Sequence, residues 1–365
     1  MERSGTHQVN RSRATPTTRR GGASAATGIE RIASRAQREP TAPFTALMHH
    51  YSVGNLQACF ESLDGRKALG VDGVTKAAYG ANLESNLQDL HRRLHQMSYQ
   101  PQPVRLVEIP KEDGSVRPLG ISCTEDKIVQ EQTRRILEAI YEPEFIETSY
   151  GFRPQRSCHD ALRQLNREVM MHSVNWIADM DLARFFDTMP HQDILSVLRL
   201  RIQDGRFLRL IARMLKAGIQ TPGGVVWDEL GSPQGSIVSP VIANIFLDHV
   251  LDKWFTEVVS AHCRGYCSIL RYADDAIAVF EHEDDARRFM NVLSRRLAKY
   301  GLRLNENKTH LLAFSKRQAR QCLRSGQRAP TFDFLGLTHY WGRSRNGHVR
   351  RKRRTSKKRF RRALK

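Results

Sequence analysis

The sequence predicts an α+β fold built on a ferredoxin-like antiparallel sheet. Two observations carry that expectation, and a third says what such a body meets. Between residues 175 and 314 the hydrophobic pattern runs strand, helix, hairpin, helix, strand, an order that suits an antiparallel sheet with helices on one face. Two of those strands end in acid, one at Asp181 and one at Asp274-Asp275. The third observation is charge. Lys and Arg number 58 against 38 Asp and Glu, a net +20. Residues 1–40 hold 8 basic and 3 acidic side chains, residues 341–365 hold 13 basic and none acidic, and the stretch between is nearly neutral. A neutral body with two basic arms has the electrostatic form of a polyanion binder, with nucleic acid the leading partner.

The elements follow in order. Residues 1–40 are polar and almost free of large apolar side chains, which predicts a disordered arm. Order is expected from residues 44–51 onward. Leu83, Leu87, Leu90 and Leu94 recur at helical spacing. Val104–Pro110 reads as a strand, closed by Lys111-Glu112-Asp113-Gly114 as a hairpin turn. Helices are expected over 125–141, with Ile128, Ile136, Leu137 and Ile140 inward, and over 157–171. A strand over 175–182 and a helix over 194–200 come next. Residues 230–239 form a Gly/Ser/Pro loop that leads into a helix capped by Ser239, with Pro240 in its first turn. Apolar strands over 269–272 and 276–280 flank a tight acidic turn. An amphipathic helix over 283–300 and strands over 308–314 and 332–340 complete the body.

Several classes drop out. Hydrophobic residues make up 40% of the chain, enough for a sizeable core. No apolar run reaches membrane-spanning length, and no secretory h-region opens the chain. Six scattered cysteines, of which only Cys263 and Cys267 are close, make a poor zinc site and read as reduced thiols. The expected setting is cytoplasmic, in association with nucleic acid.

Tyr272-Ala273-Asp274-Asp275 lies between two apolar strands, and successive side chains on an extended chain face opposite ways. Alone, such a pair is an acidic hairpin tip. Trp176-Ile177-Ala178-Asp179-Met180-Asp181 changes that, because in the expected sheet its end lies beside the tip and Asp181 meets Asp274. Converging carboxylates need a cation. Oxygen donors on a rigid sheet edge suit Mg²⁺, and a pair of such ions is the apparatus of nucleotidyl transfer.

Eight blocks, in one order, resemble the group II intron-encoded reverse transcriptases, or reverse transcriptase/maturases. They are Gly70-Val71-Asp72-Gly73-Val74-Thr75, Ile109-Pro110-Lys111 through Gly120-Ile121, Ser149-Tyr150-Gly151-Phe152-Arg153-Pro154, and Asp181-Leu182-Ala183-Arg184-Phe185-Phe186-Asp187. Gly231-Ser232-Pro233-Gln234-Gly235-Ser236, Tyr272-Ala273-Asp274-Asp275, Asn307-Lys308-Thr309 and Phe334-Leu335-Gly336 follow. The resemblance implies a right-hand polymerase fold of fingers and palm, with a thumb absent or rudimentary. It implies RNA-directed DNA polymerase activity using two Mg²⁺ ions, dNTPs, an RNA template (in this family the intron RNA) and a DNA or RNA primer. Asp181 and Asp274 would be the principal metal ligands, Asp275 a weaker ligand or support, and the Leu182 carbonyl a backbone ligand. Phe186 would be the steric gate against a ribose 2′-hydroxyl. Lys111 and Arg117 would grip the triphosphate, and Gln234 and Gly235 would line the nucleotide site. Lys308 matches a lysine that would protonate the pyrophosphate leaving group. Arg153 and Asn244 would be template or scaffold contacts.

In domain terms the resemblance implies a basic arm over 1–40, an N-terminal extension and fingers over 41–174, and a palm over 175–340. The reverse transcriptase domain as a whole covers about 91–340, and the basic tail 341–365 would open a truncated thumb or maturase domain. The chain departs from the family at Ser122, where Pro is usual, and at Ala183, where Gly is common. Other readings are an RNA-binding splicing cofactor without turnover, a domesticated reverse transcriptase in phage defence, and an RNA-dependent RNA polymerase. The acidic residues oppose the first of these and the aromatic gate opposes the last.

Overall fold

The computed structural model describes residues 23–110, 116–221, 223–227, 229–231 and 235–363. It opens with a helix, α1 (Ala23–Arg38), which corrects the disordered arm predicted over 1–40. Composition averaged over the arm hid a short stripe. Ile29, Ile32, Ala33 and Ala36 share one helical face, with Ile32 and Ala36 buried and the other two packed on the core. Residues 1–22 of the predicted arm lie outside the described residues.

Helices α2 (Val53–Ser62) and α3 (Lys76–Gly80) start at side-chain caps from Ser52 and Thr75. In α4 (Leu83–His95) the leucine stripe buries Leu87, Leu90 and Leu94. β1 (Val104–Pro110) and β2 (Val116–Ile121) pair antiparallel, while the predicted turn over 111–114 lies outside the described residues. α5 (Thr124–Tyr141) buries all four of its predicted inward residues completely. α6 (Cys158–Met171) opens with a capping box between Ser157 and Asp160.

β3 (Trp176–Met180), the single turn α7 (Phe185–Thr188) and α8 (His191–Arg199) follow. α9 (Gly205–Leu215), capped by Asp204, was not foreseen. β4 (Ile219–Thr221) and β5 (Gly224–Val226) extend the first hairpin into a sheet of order β2-β1-β4-β5. α10 (Ser239–Leu247) begins one residue early: Val238 is its cap and Ser239 already lies in the first turn, which corrects the predicted Ser239 cap. The helical path continues through two wide, π-type turns at Asp248–Asp252 and Phe255–Val259.

β6 (Cys267–Tyr272), β7 (Asp275–Phe280), α11 (Glu283–Ala298) and β8 (His310–Ala313) complete a four-stranded antiparallel sheet of order β6-β7-β3-β8. Helices were expected on one face, but both faces are covered. Ala276, Ala278 and Phe280 share a core with Phe289, Leu293 and Leu297 of α11. Ile277 and Val279 share another with Leu162, Leu165 and Val169 of α6. β7 carries no polar residue between Ala276 and Phe280, the pattern of a strand buried on both faces.

After α12 (Lys316–Arg324) the strand predicted over 332–340 is in fact two, β9 (Phe332–Phe334) and β10 (Leu337–Arg343). Leu335 and Gly336, at φ of 50° and 75°, turn the chain between them. The first half of the basic tail is also sheet. β11 (Val349–Thr355) pairs antiparallel with β10, and α13 (Lys357–Ala363) follows with Phe360 exposed. Among the described residues no helix is long and apolar enough to cross a membrane. All six cysteines are free.

Candidate active site

The acidic residues meet at one end of the second sheet. β3 pairs with β7 through Met180 opposite Ala276, so one more step of that register sets Asp181 level with Asp275. β6 and β7 are joined at Tyr272 opposite Asp275, and Ala273 makes the turn at φ 57°. Asp181 is held on three sides by a segment far along the chain. Its carboxylate accepts from the Asn305 amide at 3.0 Å and pairs with the Lys308 ammonium at 3.0 Å. Its carbonyl accepts from the Asn305 N–H at 2.8 Å, and its own N–H donates to the Thr309 hydroxyl at 3.3 Å. Leu182 bridges to Leu304, and the Ala183 N–H donates to the Arg303 carbonyl at 2.9 Å.

Like charges crowd here. Asp275 opens onto solvent, yet the protein packed around it, then the charges of Asp274 and Asp181, push its carboxyl up to about 6 against the pull of Lys308. Asp179, two residues before Asp181 on the same strand face, is pushed up to about 7 by burial and then by Asp275, Asp181 and Asp333. Asp179, Asp181, Asp274 and Asp275 thus crowd one another, with the Lys308 ammonium paired to Asp181 and attracting Asp275. Sequence reasoning missed Asp179, although its i, i+2 spacing from Asp181 was the available signal, and it missed Asn305 altogether. The donor set is oxygen only, as hard divalent cations prefer. Among the described residues no three His, Cys, Asp or Glu side chains already close a metal cage.

The acidic turn is braced from behind. Arg271, the last buried residue before it, forms a bidentate pair with Asp252 at 2.6–2.9 Å, both side chains fully buried. The same guanidinium donates to the Ala273 carbonyl at 2.9 Å and to the Asn244 amide oxygen at 2.8 Å. Asn244 in turn donates to the Gly151 carbonyl at 2.7 Å. Gly151 lies so close to the turn that a Cβ there would stand 2.1 Å from the Ala273 nitrogen. Arg153 is buried too, bound to Glu142 and to the carbonyls of Ile146 and Ser149. Asn244 and Arg153 are thus both engaged by partners within the protein.

Phe186 is half-buried beside the packed Phe185, their ring centroids 5.3 Å apart. The Gly231 N–H donates to the Met189 carbonyl at 2.8 Å, which sets Gly231 against this turn. Gly235, at φ 107°, has the Gly120 carbonyl oxygen 2.8 Å from where a Cβ would be, so its backbone lies against β2. Arg117 stands opposite Ile109 in the first hairpin, and its side chain, with all of Lys111 and Gln234, lies outside the described residues.

The family described as "Reverse transcriptase (RNA-dependent DNA polymerase)" matches residues 109–339. The group II intron-encoded protein LtrA of Lactococcus lactis subsp. cremoris is 35% identical over 63% of this chain and 38% of its own length. Protein YkfC of Escherichia coli (strain K12) is 40% identical over 54% of this chain and 52% of its own. The putative COX1/OXI3 intron 2 protein of Saccharomyces cerevisiae is 40% identical over 53% of this chain and 22% of its own. The chain therefore spans about half or less of the length of these relatives.

Proposed function

The chain belongs to the reverse transcriptase family, of the group II intron reverse transcriptase/maturase type, and from that premise we propose that it is an RNA-directed DNA polymerase. It would transfer nucleotides from dNTPs to a primer 3′-hydroxyl on an RNA template. The observation that carries this reading is the convergence of Asp179, Asp181, Asp274 and Asp275 at one sheet end, where Lys308 pairs with Asp181 and Asp275 is pushed up to about 6. A purely RNA-binding splicing cofactor has no need of such a cluster.

Asp181 and Asp274 would hold the metal, with the Leu182 carbonyl beside them and Asp275 in support. The chemistry that two Mg²⁺ ions supply in such a site is activation of the 3′-hydroxyl and neutralisation of charge on the leaving oxygen. The residues of the chain do the rest by positioning and charge. Lys308, with its side chain 63% exposed, rests on Asp181 until a competing charge takes that oxygen. Its proton is then available to the leaving pyrophosphate. Phe186 would form the wall that a 2′-hydroxyl strikes. Gly235 admits the nucleotide close to backbone, and Gln234, Lys111 and Arg117 would contact base and triphosphate. We assign 41–174, together with α1, to the fingers and 175–340 to the palm.

Asp181→Asn and Asp274→Asn test the site. Each should lower dNTP incorporation on a primed RNA by about 10²–10³ or more, while RNA binding, which rests on distant cations, stays near wild type. Turnover within about tenfold of wild type in either variant would overturn the assignment. Phe186→Ala should raise the rNTP-to-dNTP incorporation ratio by up to about a hundredfold, and an unchanged ratio would make Phe186 a packing residue.

A further inference from the structure

Away from the acidic turn, a groove of about 1260 Å³ runs between α6, α12 and β11. Its walls carry Arg163 and Arg167 from α6, Lys316 and Arg320 from α12, and Arg350 and Arg353 from β11. Each helical pair is four residues apart, so its two charges lie on one face about 6 Å apart along the axis. No aspartate or glutamate lines the groove. Of those six cations only Arg163 is ion-paired among the described residues, to Asp160 at the helix start.

The buried wall tells the same story. Arg351 reaches inward from β11, and its partners are the Asn166 amide oxygen, the Leu162 carbonyl and the His339 ring, none of them charged acids. Burial and then Arg353 push its guanidinium down to about 10. Uncompensated cations at this density repel one another and weaken the fold. A polyanion laid in the groove would relieve that repulsion by exchanging its own counterions for the side chains.

The groove is not a lobe of the catalytic cleft. Met171 and His172 on its rim precede β3, whereas Asp181 follows it. A strand of that length separates them by about 17 Å.

We propose that this groove binds the phosphate backbone of RNA, holding a segment of the substrate RNA outside the catalytic cleft. The choice of RNA rests on the polymerase reading above. The template is the strand that extends beyond the active site from the outset, while the DNA strand grows only from the other end of the sheet.

The test replaces Arg167, Arg320 and Arg353 together, once by glutamine and once by lysine. All three are exposed, and none has a side-chain hydrogen bond or ion pair among the described residues, so the fold has little to lose. Fluorescence anisotropy with an RNA hairpin, across a salt series, is the primary readout. The glutamine variant should bind about tenfold or more weakly at low salt, with a log–log salt slope shallower by about 2–3. The lysine variant should restore most of both. Incorporation of one dNTP on a primed template too short to leave the cleft should be unchanged. Unaltered hairpin binding in the glutamine variant would overturn the proposal, and so would a loss that the lysine variant fails to restore. A wild-type chain that fails to incorporate dNTPs would count against the polymerase reading, while the binding arm would still decide the groove.

Discussion

Arg271 and Arg351 are both buried arginines in strands that flank the second sheet's core, and their surroundings differ in one respect. Behind the acidic turn, Arg271 has a carboxylate of its own in Asp252, with two neutral acceptors besides. In the wall of the basic groove, Arg351 has neutral partners only. The first charge is cancelled inside the protein, so it is a structural brace. The second is left to be cancelled from outside. Internal compensation marks a region that holds the fold, and its absence marks a wall that faces a partner of opposite charge.

The largest expected effect is at the compensated site. Arg271→Met leaves Asp252 buried without its partner and should cost about 3–5 kcal/mol in urea unfolding. Adding Asp252→Leu should recover most of that loss, since a buried pair replaced by packed apolar groups is often neutral. Arg351→Met removes hydrogen bonds worth about 1 kcal/mol each but also an uncompensated buried charge, so its net cost should be about 1 kcal/mol or less. Equal costs for the two single variants would break the comparison. The smallest effect is in pH. Asp179, raised to about 7, takes up a proton on folding, so its stabilising contribution is complete below its ordinary value near 4 and is lost as pH rises through 7. Urea midpoints of the metal-free chain should fall between about pH 5 and pH 8, and Asp179→Asn should flatten that fall. The arginines of the groove do not titrate in this window.

Periodic elements were legible from the residues alone. The leucines of α4 and the isoleucines of α5 lie where their spacing put them, and the acidic hairpin forms between the two apolar strands expected to flank it. What escaped was short or long-range. β4 and β5 have three residues each, too few to show alternation. Leu335 gave no warning of a turn, because a leucine rarely adopts positive φ. α1 was lost in the average over a polar arm. Around the site, Asp181 and Asp274 stood out through their motifs. Asn305 and the Arg271–Asp252 pair did not, because nothing local joins an asparagine to a carboxylate 124 positions earlier.

That last separation has a consequence for how the protein comes into being. The Asp181 carboxylate and backbone are set by Asn305, Lys308 and Thr309, which are translated long after β3. At about 5–20 residues per second, the ribosome needs about 6–25 s to reach them. During that interval β3 stands without the segment that latches Asp181. Synthesis of the 303–309 segment is therefore the event that latches the acidic strand, so the site is completed late in the chain's own making.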